Sequence, residues 1–180
     1  ALLSNTTASN NTAVGVSALQ TNTTGGGNAA FGSEALKSNT GSNNTAIGFC
    51  SLIANTTASN NTAVGYKSLD TNTTGSCNTG IGRNALFSNT TASTNTAIGY
   101  DALFANTTGC KNVAVGALSL DANTTGYANV AVGFQSLTYN TTGYENTAIG
   151  QNALYCNNTA DYNTAVGRSA LLNNTTGDAN

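Results

Sequence analysis

The chain has no histidine, proline, methionine or tryptophan, and only 7% of its residues are charged and 7% aromatic. The lack of histidine removes the commonest general base and metal ligand, which argues against an enzyme. A net charge of −2 without a basic run argues against nucleic-acid binding. No stretch has the length of a transmembrane helix and no signal-peptide pattern appears, so no membrane contact is expected within these residues. Too few large side chains are present for an ordinary globular core, and too little charge and proline for a disordered chain.

What the chain has instead is repetition. Asparagine and threonine make up about a third of its 180 residues. Units begin at Asn11, Asn28, Asn44, Asn61, Asn78, Asn95, Asn112, Asn129, Asn146 and Asn163, always 17 residues apart except for 16 between Asn28 and Asn44. The consensus is N-T-A-[VI]-G-x-x-[AS]-L-x-x-N-T-T-[GA]-x-x. Such self-similarity marks an array in which each unit buries its apolar face against its neighbours. Seventeen residues are too few for a helical hairpin, and Asn-Thr-Thr-Gly forms helix poorly. β-Branched residues alternate in "TAVGY", and "NTTG" supplies turn chemistry. The expected fold is therefore all-β, a parallel β-solenoid of about ten coils with two short strands each, rising roughly 4.8 Å per coil. Residues 1–180 form one such region, with a partial coil at 1–10, and read as a segment of a longer fibre.

Three sets of columns carry the expected packing. Val14, Ile47, Val64, Ile81 and Ile98 never give way to a polar residue, nor do Leu19, Leu52, Leu69, Leu86 and Leu103, so the two columns are expected to meet inside the coil. Two large apolar groups are a thin core for 17 ordered residues. A ladder of stacked asparagine amides, Asn11, Asn28, Asn44, Asn61, Asn78 and Asn95, with a second column from Asn22 to Asn174, is expected to add bonds from coil to coil. Ala13, Gly15, Ala46, Gly48, Ala63, Gly65, Ala97 and Gly99 form a face kept small along its length. Close approach of another backbone explains such a face, and a sister chain about a threefold axis is the expected partner.

The run N-T-A-[VI]-G resembles the N-S-V-A-I-G-type repeat of the YadA-like heads of trimeric autotransporter adhesins. The fuller form N-T-A-V-G-Y-x-A-L-x-x-N-T-T-G resembles repeat regions of bacterial and phage fibre proteins. The resemblance covers essentially the whole chain and implies a left-handed β-roll, three associated chains, and an extracellular place on a cell surface or virion fibre. It departs from the adhesin head in its longer period and Asn-Thr-Thr turns. The implied function is structural and adhesive, non-enzymatic and without cofactor, in a homotrimer or filament with a host surface or glycan as receptor. Two other readings stand beside it: an ice-binding threonine array, and a single-chain matrix filament stacking end to end.

Other chemistry is weighed against plainer roles. Asp161 and Asp178 share a column in adjacent coils, as a glycosidase carboxylate pair would, but also as two solvated turn residues would. Cys50, Cys77, Cys110 and Cys156 lie in four different columns, too far apart for disulfides, and read as free thiols. Sequons at Asn22, Asn55, Asn72, Asn89, Asn106, Asn123, Asn140 and Asn174 read as turn asparagines rather than glycan acceptors. Phe49, Tyr66, Tyr100 and Phe134, with Phe87, Phe104 and Tyr155 in a second column, form either a carbohydrate-binding stripe or peripheral packing.

Overall fold

The computed structural model describes residues 1–180 and contains no helix. Ten three-residue strands, β1 (Thr12–Val14), β2 (Ala29–Phe31), β3 (Thr45–Ile47), β4 (Thr62–Val64), β5 (Thr79–Ile81), β6 (Thr96–Ile98), β7 (Val113–Val115), β8 (Val130–Val132), β9 (Thr147–Ile149) and β10 (Thr164–Val166), form one parallel sheet in chain order. Each coil supplies one strand, and like residues stack in register: Thr45 beside Thr62, Ala46 beside Ala63, Ile47 beside Val64. This is the parallel β-solenoid that the period implies.

The strands are short because a glycine ends each one in a conformation that side chains rarely adopt. Gly65 has φ +134°, and a Cβ added there would fall on the carbonyl of Gly82 in the next coil. Beyond the glycine the expected second strand is not extended. Lys67 and Leu69 both have positive φ (54° and 53°), and the same two columns repeat this in every coil. The left-handed leucine costs on the order of 1 kcal/mol. Inter-coil bonds offset it: Lys67 N donates to Phe49 O (3.0 Å) and Leu69 N donates to Ala85 O (3.0 Å). Of 111 backbone–backbone hydrogen bonds only 18 lie within the strands, so turns carry most of the coil-to-coil bonding.

The core corrects the expected facing of the strand. The fully buried apolar residues are alanine and leucine, with Leu19, Leu52, Leu69, Leu86 and Leu103 at 0% exposure and Ala46, Ala63 and Ala97 beside them. Val14, Ile47, Ile81 and Ile98 are exposed and Val64 is half-buried, all on the outside of the sheet. The reason is width. A three-residue strand turns only its middle side chain inward, and the leucine and two asparagines of each coil already fill the interior. Only alanine fits opposite them. The small column does face another backbone, but that backbone is the far wall of the same coil. Ala13 is half-buried against this core, and Gly15, Gly48, Gly65 and Gly99 lie at the corner, each packed on the glycine of the next coil. The expected Ala/Gly interface with a sister chain is therefore internal packing.

Two buried amide ladders complete the interior. In the first, Asn61 Oδ1 accepts from Asn78 N (2.9 Å) while Asn61 Nδ2 donates to Gly75 O (2.9 Å), tying the next coil and closing its own. Asn11, Asn28, Asn44, Asn78 and Asn95 repeat the pattern. In the second, Asn72 Nδ2 donates to Asn55 Oδ1 (2.9 Å) and also to Gly75 O (2.9 Å). The Gly75 carbonyl thus accepts from both ladders, which uses both of its lone pairs. The second ladder runs unbroken from Asn39 to Asn174. It stops at the 16-residue coil, where Asn39 Nδ2 reaches Gly41 O and the buried Asn22 Oδ1 has no partner.

Replacing Asn89 by Ala strands Asn72 Oδ1 and removes the bond from Asn106, so we expect a loss of about 2–3 kcal/mol. Asn22→Ala removes only the bond to Gly25 O and should cost clearly less. Inserting a threonine between Thr40 and Gly41 should raise stability by joining Asn22 to Asn39. Urea unfolding of the three variants beside the parent chain checks the order. Equal losses for Asn22→Ala and Asn89→Ala would contradict it.

Candidate functional site

The outward face of the ten-stranded sheet is the most regular surface of the molecule. At the first strand position it carries Thr12, Thr45, Thr62, Thr79, Thr96, Thr147 and Thr164, with Ala29, Val113 and Val130 in the other coils. At the third position it carries only Val, Ile or Phe31. No charged residue lies in either file. Two residues along a strand span about 7 Å and adjacent coils are roughly 4.8 Å apart, so the face is a regular grid of methyls and, in seven of ten coils, hydroxyls. Exposure falls from 67% at Val166 and 56% at Val14 to 37% at Ile81, and Val64, Val115 and Val132 are half-buried, so the aliphatic groups pack along their own file while keeping part of their surface in solvent.

Beside this grid, past the glycine corner, runs a stacked file. Phe49 and Tyr66 lie parallel at 5.7 Å, and the Arg83 guanidinium sits between Tyr66 (5.9 Å) and Tyr100 (5.5 Å). Phe87 and Phe104 stack at 5.2 Å in the second column. These ring faces are occupied by one another or by a cation, leaving edges outward. A sugar-binding platform needs open faces, so these stacked rings serve packing, whereas Phe134, between Ala117 and Gln151 in the same column, stands exposed without a ring or cation partner.

The remaining candidates resolve into structure. Asp161 Oδ1 accepts from Tyr144 N (2.9 Å) and Asp178 Oδ1 from Asp161 N (2.8 Å). The two carboxylates thereby continue a ladder that Ser42, Ser59, Ser76 and Ser93 build in earlier coils, each hydroxyl accepting from the backbone amide one coil back. Sequence reasoning did not single out this serine column, although its run of like residues is legible. Asn55, Asn72, Asn89, Asn106, Asn123 and Asn140 are fully buried, with Nδ2 engaged in each ladder, so these sequon amides are closed to glycosyl transfer in the folded chain. Asn22 is equally buried, while Asn174 in the last coil is half-buried.

The first threonine of the Asn-Thr-Thr turn is also engaged: Thr56 Oγ1 donates to Thr73 O and Thr73 Oγ1 to Thr90 O, both at 3.0 Å. The second, as in Thr57, Thr74, Thr91 and Thr108, stands in solvent as a single file. No three residues among Cys, Asp and Glu come together as a metal-binding group, and no helix is long and apolar enough to cross a membrane. A surface groove of about 380 Å³ lies beside Tyr139, Cys156 and Thr175 in the last coils. No protein-family model, curated protein or solved structure matches the chain.

All four cysteines are free, and their environments rank their reactivity. Cys50 is 6% exposed and its thiol donates to Glu34 Oε2 (3.6 Å). Burial first, then Glu34, pushes the Cys50 thiol above its ordinary range, so less of the reactive thiolate is present at neutral pH. Cys77 is exposed. Limited alkylation followed by peptide mass spectrometry should label Cys77 first and Cys50 last, with the order lost in urea. Early labelling of Cys50 in the folded chain would contradict its placement.

Proposed function

We propose that this chain is a structural, non-enzymatic segment of an extracellular fibre, an adhesin head or tail-fibre-like shaft, that packs against copies of itself. The observation that carries the reading is the uncharged Val/Ile file along the whole sheet. A contiguous apolar face of this extent marks an interaction surface. Its repeat also selects the partner, because only a surface with the same rise stays in register over ten rungs, and a second copy has that rise by construction. Three copies, each a left-handed coil about a common axis, follow the resemblance of the N-T-A-[VI]-G repeat to trimeric adhesin heads. The contact surface in this reading is the outward Thr-x-Val/Ile face. The ladders supply stiffness and the closed backbone supplies resistance to proteases, while receptor contact falls to the variable columns.

A second reading uses the same face. The Thr12-type hydroxyls and Val14-type methyls form a two-dimensional grid, which is the arrangement a template for ordered water requires. The Asn-Thr-Thr turns favour ice binding less, since one threonine of each pair is tied to the backbone and the other stands in a single file.

Light scattering after size exclusion separates the readings. A trimer for the parent chain, and a monomer with unchanged circular dichroism for Val64→Lys combined with Ile98→Lys, is the expected result. A stable monomer of the parent would overturn self-association and lead to thermal-hysteresis measurement on the same variants. Large polydisperse particles that survive both substitutions would favour end-stacked filaments.

A further inference from the structure

Five of the seven tyrosines fall between Tyr127 and Tyr162. They occupy four columns of the repeat, yet the fold brings them together across successive coils. Tyr139 and Tyr155 meet edge to face, with ring centroids 4.9 Å apart at 82° and the Tyr155 hydroxyl donating to the Tyr139 oxygen at 3.5 Å. Tyr144 and Tyr162 repeat the geometry at 5.2 Å and 81°, with phenol oxygens 3.4 Å apart. Tyr139 and Tyr162 are 52% and 51% exposed, so both pairs are open to a diffusing oxidant.

We propose that Tyr139–Tyr155 and Tyr144–Tyr162 are sites of oxidative phenol coupling, each pair yielding one carbon–carbon bond between successive coils when a peroxidase-type one-electron oxidant acts with hydrogen peroxide. Each phenol gives up one electron and its hydroxyl proton. The two phenoxyl radicals join at the ring carbons ortho to oxygen, and the two displaced ring hydrogens return to the oxygens as the rings regain aromaticity. Two hydrogen atoms leave the protein per link, and one hydrogen peroxide becomes two waters.

Geometry makes these pairs better suited than the other tyrosines. Coupling competes with escape of the radical, and partners held in contact meet at high effective concentration. In both pairs the phenol oxygens are within 3.5 Å, so the carbons ortho to them lie near one another and a turn of one half-exposed ring about its own axis brings the two ortho edges face to face. Tyr127 and Tyr144 also touch, at 4.8 Å, but lie parallel within 4° and must unstack before a biaryl can form. Tyr66 and Tyr100 are separated by Arg83. The hydroxyl contacts hold the Tyr144 and Tyr155 phenols above their ordinary range, and in each pair one hydroxyl proton lies beside the partner's oxygen. In a linear array, where stability is set at each interface between neighbours, a bond across one interface limits separate unfolding of the two coils that it joins, and both links span the interface between the coils that start at Asn129 and Asn146. None of this depends on whether copies associate.

The test treats the intact chain at low concentration with peroxidase and hydrogen peroxide, folded and in urea. The expected product is a single chain lighter by two hydrogens per link, with dityrosine fluorescence and peptide maps joining Tyr139 to Tyr155 and Tyr144 to Tyr162. Tyr155→Phe combined with Tyr162→Phe should lose the fluorescence although Tyr66, Tyr100 and Tyr127 remain. Retained fluorescence in a normally folded double variant would overturn the proposal. So would links at Tyr66, Tyr100 or Tyr127, products only between chains, or equal single-chain coupling in urea. The folded and urea arms of the parent decide the matter even if the double variant fails to fold.

Discussion

The structure depends on one interaction, the buried asparagine amide that bonds to its own coil and to a neighbouring coil at once. A solenoid this narrow has little hydrophobic area: a leucine and one or two alanines per turn. Against the conformational cost of ordering 17 residues, that burial is insufficient by the usual area arithmetic. The side-chain amide adds two donors and an acceptor in a site from which water is excluded, where an unmade bond is costly and a made one is strong. The Gly75 carbonyl, accepting from Asn61 and Asn72 together, shows the economy of the arrangement. Each coil is closed by the same amides that join it to the next, so local folding and propagation along the rod are one event.

This constraint explains which positions vary. Residues whose side chains enter the interior are fixed in type, and those past the glycine corner drift, with interior exceptions that have local causes. Gly80 replaces the inward alanine in one coil, and there the Ser68 hydroxyl turns in to donate to Gly80 O (2.9 Å), occupying space that a Cβ would need. Ser51, Ser119 and Ser136, in the same column as Ser68, donate instead to the glycine three residues earlier. The missing threonine at Thr40–Gly41 is a second exception, and from that coil back to the first the second ladder is open, with the Asn22 and Asn5 amide oxygens unpartnered.

Much of this was legible in the sequence, and what was not has a physical reason. Period, parallel stacking, the leucine column and both asparagine columns follow from spacing and side-chain chemistry. Alternation along "TAV" shows that Ala63 and Val64 face opposite ways, but not which faces in, because that depends on the width left by Leu69, Asn61 and Asn72. Counting those three against a 17-residue circumference would have favoured alanine. The left-handed backbone at Leu69 left no such trace, since leucine has no intrinsic preference for positive φ and takes it here only under inter-coil bonding. At the candidate site, the aromatic columns were visible but the orientation of their rings was not, and that orientation separates stacking from an open sugar platform.

The outward valines and isoleucines then become the main functional argument. Had they lined the interior, as their constancy first implies, the molecule would be complete by itself and its surface nearly featureless. Placed outside, the same constancy can no longer be explained by the core, because exposed strand positions tolerate polar residues and the position after each glycine takes Val, Ser, Phe, Tyr, Arg, Gln or Ala. Nor does strand propensity alone require it, since threonine serves equally well at the first strand position of seven coils. A column that stays apolar where the interior does not demand it is the observation on which the proposed self-association rests. In the proposed reading the regular rise calls for a surface of matching period, either another copy or a lattice of ordered solvent, and the aliphatic character favours the copy.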